Sequence, residues 1–155
     1  MVRGQDERGV STRTAAEAWE ELFRAQVTLM RRFEAGDDFA PLTSREYDVL
    51  FQLSLGEGHA MRMRDLTCLI LLSQPSLSRM VDRLSARGLV ERRAVPHDAR
   101  GVVVALTEEG LRLQREIGRN HVRSIRRYVG GALDEEELRT LQHLAHKLRT
   151  AQRHL

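Results

Sequence analysis

The chain has 155 residues, of which 41% are hydrophobic and 30% are charged, a composition typical of a soluble globular protein. This length favours a single domain whose core needs no disulfides. The one cysteine, Cys68, excludes an internal disulfide framework and suits a reducing cytoplasm. No apolar run approaches the length needed to cross a bilayer, and residues 1–11 lack the apolar stretch of a secretory signal. We therefore expect a cytoplasmic protein with no membrane partner.

Positive charge is concentrated in one part of the chain. The formal net charge is only +3, although 24 arginines and one lysine are present. Residues 73–101 carry six of these arginines against three acids. A local excess of this kind is typical of a surface that binds phosphate groups. The segment is therefore a candidate for contact with nucleic acid.

The first half of the chain predicts three helices. Apolar spacing over Thr12–Ala35 follows one face of a long helix, and the polar residues 1–11 before it are expected to be flexible. Thr43 with Glu46 three residues later forms a capping box, which predicts a helix from there to about Leu55. A short helix is predicted over Arg62–Leu71, with Leu66 and Ile70 on its inner side.

The next segment predicts a second short helix and a hairpin. Ser73 is a predicted N-cap, and Gly88 ends the helix. Its inner stripe has the spacing i, i+3, i+4, i+7 and consists of Leu77, Met80, Val81 and Leu84. The β-type runs Leu89–Arg93 and Val102–Leu106 enclose a loop at Ala94–Gly101.

Two further helices are predicted at the end of the chain. Thr107 caps a helix that continues to about Tyr128, and Asp134 with Glu137 forms the capping box of a final helix. Apolar stripes at both ends of a small helical protein need a covering surface. We therefore expect a homodimer in which residues 12–35 and 108–155 are dimerisation helices.

Residues 43–107 have the layout of a winged helix-turn-helix module that binds duplex DNA. One helix can fill a major groove, and the arginine-tipped hairpin that follows can reach a minor groove. The predicted fold is mainly α with a small β-hairpin wing (α+β), and residues 12–155 form a single domain. The residues predicted to contact DNA are polar or charged and lie on the outer helix face or at the hairpin tip: Gln74, Ser76, Ser78, Arg79, Arg83, Asp98 and Arg100.

The hairpin also carries a family pattern. Asp98-Ala99-Arg100 followed by Leu106–Gly110 matches Asp-x-Arg and Leu-Thr-x-x-Gly, and with Leu42-Thr43 and Leu84–Arg92 it resembles the MarR family of bacterial regulators. The resemblance extends from about residue 12 to the C-terminus. It implies a winged-helix dimer that binds a pseudo-palindromic operator. Family members are commonly repressors that small aromatic or phenolic ligands, or cysteine oxidation, release from DNA. Arg100 matches the minor-groove arginine of the family, and Arg79 its frequent recognition-helix arginine.

An effector and two alternative functions follow from these patterns. Trp19, Phe23 and Tyr47 are candidates to line a pocket for an aromatic ligand, although core packing explains most aromatic residues. One alternative is a redox-responsive regulator that uses Cys68. The peroxide-sensing branch of the family carries its cysteine in the first helix, so an inert or accessory thiol is favoured here. The other alternative is a winged helix that binds protein. No nucleotide-binding loop, metal-ligand cluster or nucleophile elbow is present, and we expect no enzyme, cofactor or metal.

Overall fold

The computed structural model describes residues 9–95 and 98–152, with only the backbone described at 95 and 98–100. The described part contains six helices, three strands and a turn of 3-10 helix. In chain order these are α1 (Thr12–Ala35), α2 (Ser44–Leu55), the 3-10 turn (Glu57–His59), β1 (Ala60–Arg62), α3 (Met63–Leu69), α4 (Gln74–Ala86), β2 (Val90–Val95), β3 (Asp98–Leu106), α5 (Glu108–Tyr128) and α6 (Glu135–Ala151). The chain divides into two compact units, and the boundary between them in the sequence lies between Gly36 and Asp37.

The first unit is α1, which has the predicted bounds. It begins after Ser11 and ends at Gly36, whose backbone N–H donates to the carbonyls of the last turn. Trp19 and Phe23 lie one turn apart on this helix, and both are exposed. Their rings stack with centroids 6.1 Å apart, so α1 presents an aromatic face to its surroundings.

The second unit begins with a helix whose N-terminus is closed by the predicted capping box. The backbone N–H of Glu46 donates to Thr43 Oγ1 at 3.2 Å, and the backbone N–H of Thr43 donates to Glu46 Oε2 at 3.0 Å. These two bonds satisfy N–H groups that the first helical turn leaves without partners. α2 therefore begins where the sequence predicts.

The core of the second unit lies between α2, α3, α4 and the sheet. All four residues of the predicted α4 stripe are buried, and three of them are completely inaccessible to solvent: Leu77, Val81 and Leu84. They share this core with fully buried residues of the neighbouring elements, namely Leu50, Leu53, Leu66 and Val104. Burial of this stripe directs the opposite face of α4 toward solvent.

The predicted hairpin is part of a three-stranded sheet in the order β1-β3-β2. β1 pairs antiparallel with β3 through Ala60 to Arg62. Sequence analysis did not predict this strand, because three residues are too few to show an alternating pattern. β2 and β3 are longer than predicted, so the loop between them is shorter than the predicted range Ala94–Gly101. Pro96 and His97 lie outside the described residues.

The helix predicted over Arg62–Leu71 is shorter at both ends. Arg62 belongs to β1 and has an extended backbone, and Ile70 is again extended at φ −107° and ψ 128°. The seven residues of α3 between them still bury Met63 and Leu66. The spacing of Leu66 and Ile70 fits one side of a helix, but the backbone leaves the helical conformation at Ile70.

Hydrogen bonds connect the C-terminal end of α4 to the N-terminal end of α5. Gly88 has φ +71°, and the N–H of Leu89 returns to the carbonyl of Leu84 at 3.0 Å. The Thr107 hydroxyl donates to the carbonyl of Gly88 at 2.7 Å and accepts from the N–H of Gly110 at 3.0 Å. A Cβ at Gly110 would lie 1.9 Å from the carbonyl oxygen of Leu89. The Leu-Thr-x-x-Gly pattern therefore corresponds to a close backbone contact.

A buried polar cluster joins the segment before α2 to α5. The Asp38 carboxylate is 8% exposed and accepts from the Ser124 hydroxyl at 2.7 Å. His121 Nδ1 lies 2.9 Å from the other carboxylate oxygen. The His121 ring also packs against Phe39, with centroids 4.8 Å apart. Because both carboxylate oxygens have partners, the cluster fixes this segment without leaving a buried polar atom unsatisfied.

α6 is the helix with the least burial. It begins at the predicted capping box of Asp134 and Glu137, yet no described residue of the helix is buried. Leu141, Leu144 and Leu148 are 43%, 50% and 54% exposed. Among the described residues, no helix is long and apolar enough to span a membrane.

Candidate nucleic-acid interface

The outer face of α4 carries the five residues predicted there. Gln74, Arg79 and Arg83 are exposed, and Ser76 and Ser78 are half-buried. The opposite face of α4 carries the buried apolar stripe and packs into the core. The structure thus assembles hydroxyl, amide and guanidinium groups on one surface, and these groups can hydrogen-bond base edges and phosphates.

Few strong contacts restrain the arginines on this face. Arg79 Nη2 donates to Ser76 Oγ at 3.4 Å, and Arg83 Nη1 donates to the carbonyl of Arg79 at 3.5 Å. Both bonds are long and exposed to solvent, so they cost little to exchange for contacts with a ligand. Ser73 holds the predicted N-cap position but makes no side-chain bond to the backbone of the helix. Its hydroxyl donates to Ser76 Oγ at 2.9 Å.

Sequence reasoning missed a link between the wing and α4. Arg92 on β2 donates through Nη2 to the carbonyl of Ser78 at 3.1 Å, to Ser78 Oγ at 3.0 Å and to Asp82 Oδ1 at 2.9 Å. The arginine and its two partners lie in different elements, and alternation along β2 does not show which helix residue it meets. The link holds one strand of the wing against the helix.

The tip of the wing lies at the limit of the described residues. The backbone of Asp98 and Arg100 belongs to β3, with Asp98 paired to Val95, but their side chains lie outside the described part of the structure. The sequence prediction that Arg100 enters a minor groove is therefore untested and stays a prediction.

The candidate ligand residues fall in both units. Trp19 and Phe23 belong to α1, whereas Tyr47 is buried in α2 of the second unit. Its ring lies 5.5 Å from that of Phe39. Burial raises the pKa of the Tyr47 phenol, and a hydrogen bond with Gln114 acts in the opposite direction. A ligand pocket shared by these residues stays a prediction.

The structure contains little metal or thiol chemistry in its described part. No group of three or more His, Cys, Asp or Glu side chains in that part is placed to hold a metal ion. Cys68 is exposed on α3, where its Sγ lies 3.4 Å from the carbonyl oxygen of Arg64. The redox alternative therefore has an accessible thiol, and its response to oxidants stays untested.

Comparisons with known proteins agree on one family. A model of the MarR family matches residues 40–101. The chain is similar to the HTH-type transcriptional regulator PecS of Dickeya dadantii, with 28% identity over 115 residues, 74% of this chain and 67% of PecS. The multiple antibiotic resistance proteins MarR of Salmonella typhimurium and Escherichia coli, 33% and 34% identical, match over 51% of their own length.

Solved structures extend the similarity over nearly the whole chain. AbsC, a MarR family transcriptional regulator from Streptomyces coelicolor, is 32% identical with a TM-score of 0.79, over 94% of this chain and 99% of AbsC. BpsR of Bordetella bronchiseptica, whose DNA binding is regulated by 6-hydroxynicotinic acid, is 26% identical with a TM-score of 0.72, over 84% of this chain and 91% of BpsR.

Proposed function

This chain belongs to the MarR family of transcriptional regulators, and on that premise we propose that it is a homodimeric repressor that binds a pseudo-palindromic operator and is released by a small molecule. The family consists of DNA-binding regulators and not of enzymes. Repression, dimerisation and the effector are the parts of the proposal that go beyond this assignment. Because its partner would be chromosomal DNA, the protein would act in the bacterial cytoplasm.

The observation that supports DNA recognition is the division of α4 into two faces. One face is buried under the sheet, and the other presents Arg79 and Arg83 beside hydroxyl and amide groups. A protein-binding winged helix would be expected to show an apolar or acidic face at this position. The arginines instead suit phosphates and the acceptor atoms of guanine in a major groove.

Exposed apolar side chains support the homodimer. They are found on α1, on the second half of α5 and on α6, at Trp19, Leu22, Phe23, Val122, Ile125, Leu141, Leu144 and Leu148. Such residues on neighbouring turns exceed the scattered apolar exposure of an ordinary surface. A twofold axis through these helices would cover them and would present two recognition helices to two half-sites about one helical turn apart.

A small aromatic acid is the proposed effector. The support is the regulation of BpsR by 6-hydroxynicotinic acid, together with the aromatic residues predicted to line a pocket, Trp19, Phe23 and Tyr47. An effector can release DNA only if it prefers a conformation with the wrong spacing between recognition helices. Repression follows if the operator overlaps a promoter, since a bound dimer then excludes the polymerase.

The decisive experiment is a selection of randomised duplexes with the purified protein. We expect an enriched palindrome whose half-site centres lie about one helical turn apart. The palindrome, placed upstream of a reporter gene, should lower expression, and aromatic acids that stabilise the protein should restore it. If no palindrome is enriched, the protein is not a specific DNA reader, and the protein-binding alternative takes its place.

A further inference from the structure

A cleft lies between the recognition helix and the wing. It has a volume of about 380 Å³, and the polar side chains around it come from four elements: Arg62 at the end of β1, Arg64 in the first turn of α3, Gln74 and Ser78 on α4, and Arg92 on β2. No described residue that lines it is acidic. Sequence reasoning assigned Gln74 and Ser78 to DNA contact and counted Arg92 in the basic segment, but it gave no role to Arg62 and Arg64. The cleft is thus a basic site that adjoins the outer face of α4 and shares Gln74 and Ser78 with it.

The groups in the cleft are hydrogen-bond donors. Ser78 Oγ already accepts from Arg92 Nη2 at 3.0 Å, so the hydroxyl hydrogen is left to donate, and it has no acceptor among the described residues. Arg64 is paired with Asp65 at 3.3 Å, but its side chain is 75% exposed. An ion pair so exposed contributes little and is readily exchanged for another anion.

The position of the cleft on DNA follows from the geometry of the duplex. One sugar-phosphate strand separates each major groove from the neighbouring minor groove. A protein with α4 in the first groove and the wing in the second must straddle that strand. The cleft lies between these two elements, where the strand would pass.

We propose that this cleft binds one backbone phosphate of the operator in each half-site, with Arg64 supplying the charge and Ser78 donating a hydrogen bond. Arg92 acts as a positioning residue, because it orients the Ser78 hydroxyl and holds the wing beside it. The contact fixes the register of the protein on the duplex and carries no base preference. This inference rests on the proposed DNA binding.

Salt dependence of binding tests the charge at the cleft. Arg64→Ala should weaken binding to the selected operator and to a random duplex by a similar factor, on the order of 10-fold per subunit for a charge-assisted hydrogen bond. The slope of log affinity against log salt concentration is negative, and its magnitude should decrease by about one per subunit. Arg139→Ala on α6 is the matched control, since Arg139 is also 75% exposed and paired with one acid. It should leave both quantities unchanged.

Neutral phosphates test the position of the contact. A single methylphosphonate replaces a different backbone phosphate in each of a series of duplexes. At one position in each half-site this replacement should weaken binding of the wild type, but it should not weaken binding of Arg64→Ala any further. Ser78→Ala should weaken binding without changing the salt slope, because it removes a neutral donor, and Ser78→Thr should restore part of the loss. Titration of the free protein with inorganic phosphate should show no saturable binding below millimolar concentration.

Three results would overturn the proposal. The first is that Arg64→Ala changes the enriched operator sequence. The second is that Arg64→Ala leaves the salt dependence of binding unchanged. The third is that the losses of binding free energy from the methylphosphonate and from Arg64→Ala are additive at every position of the duplex. Tight binding of inorganic phosphate would instead make the cleft a site for free anions. The random duplex keeps this test separate from the proposed function, because phosphate contacts also form on DNA without an operator.

Discussion

Arg79 is the residue of α4 best placed to determine base preference. Its guanidinium is exposed in the N-terminal half of the helix, and among the described residues its one hydrogen bond is the 3.4 Å bond to Ser76 Oγ. An arginine can donate two parallel hydrogen bonds to guanine O6 and N7 in the major groove. A base contact of this kind differs from the phosphate contact proposed for Arg64, because it depends on sequence.

We expect Arg79→Ala to weaken operator binding by about 1–3 kcal/mol and to relax the preference at one position of each half-site. Binding titrations and a repeated selection measure the two effects. Arg139→Ala is a suitable control, since Arg139 lies on α6, outside the predicted DNA contacts, and pairs with Glu135. A uniform loss on all sequences would show that Arg79 contacts phosphate instead.

Tyr47 predicts a pH dependence of stability. Burial raises the pKa of its phenol in the folded state, so the unfolded chain ionises first as the pH rises. The contribution of Tyr47 is fully present below about pH 10, the ordinary pKa of tyrosine, and is lost as the pH rises toward the folded pKa. The free energy of unfolding should therefore fall in this alkaline range less steeply for Tyr47→Phe than for the wild type. Urea denaturation at several pH values measures this, and parallel curves would contradict it.

At the scale of elements, the junction of α4 and α5 shows why a family pattern contains a glycine. The first turn of α5 approaches the carbonyl of Leu89 so closely that a methyl group at Gly110 would lie 1.9 Å from the oxygen. Thr107 bonds to both sides of this contact. The two residues set where the final strand of the wing ends and the long helix begins.

Gly110→Ala should therefore destabilise the protein by about 3 kcal/mol or more, because the backbone on both sides must shift. Chemical denaturation measures the loss. Glu108→Ala in the same helical turn is the control, since its exposed side chain should change stability by less than about 0.5 kcal/mol. Equal stability of the two variants would mean that the close approach is absent in solution.

Local signals explain which elements the sequence could predict. The capping boxes at Thr43 and Asp134 fix helix starts because both partners lie within four residues. The stripe on α4 predicts its buried face for the same reason. Sequence analysis did not predict β1 or the hydrogen bonds of Arg92, because each depends on residues outside the local sequence pattern. β1 pairs with Val103–Ala105. Arg92 bonds to Ser78 and Asp82 on α4. The cleft was not predicted either, since it forms where these elements pack together.

At the scale of the whole molecule, α6 carries the clearest sign of a missing neighbour. The helix has a well-formed N-terminus and an apolar stripe, yet none of its described residues is buried. A helix of this length gains most of its stability in a protein from covering such a stripe. A second copy of the chain is the covering surface that we expect.

Leu144→Glu should convert the dimer to monomers or to unfolded chain, since a charge in an apolar interface loses its hydration without a partner. Light scattering at micromolar concentration measures the mass, and circular dichroism measures the helix content. The exposed Arg149→Glu substitution, near the end of the same helix, serves as a control for added negative charge. A wild-type protein that is a stable monomer at this concentration would contradict the dimer.

The wing is braced from both edges of its sheet. β1 pairs with β3 and continues directly into α3, while Arg92 ties β2 to α4. We expect these two connections to make β2, β3, α3 and α4 move together as one rigid body. A rotation that moves the recognition helix out of its groove would then also move β2 and β3 away from the DNA. We expect each half-site to be engaged or vacated in a single motion, so that partly unzipped complexes do not accumulate.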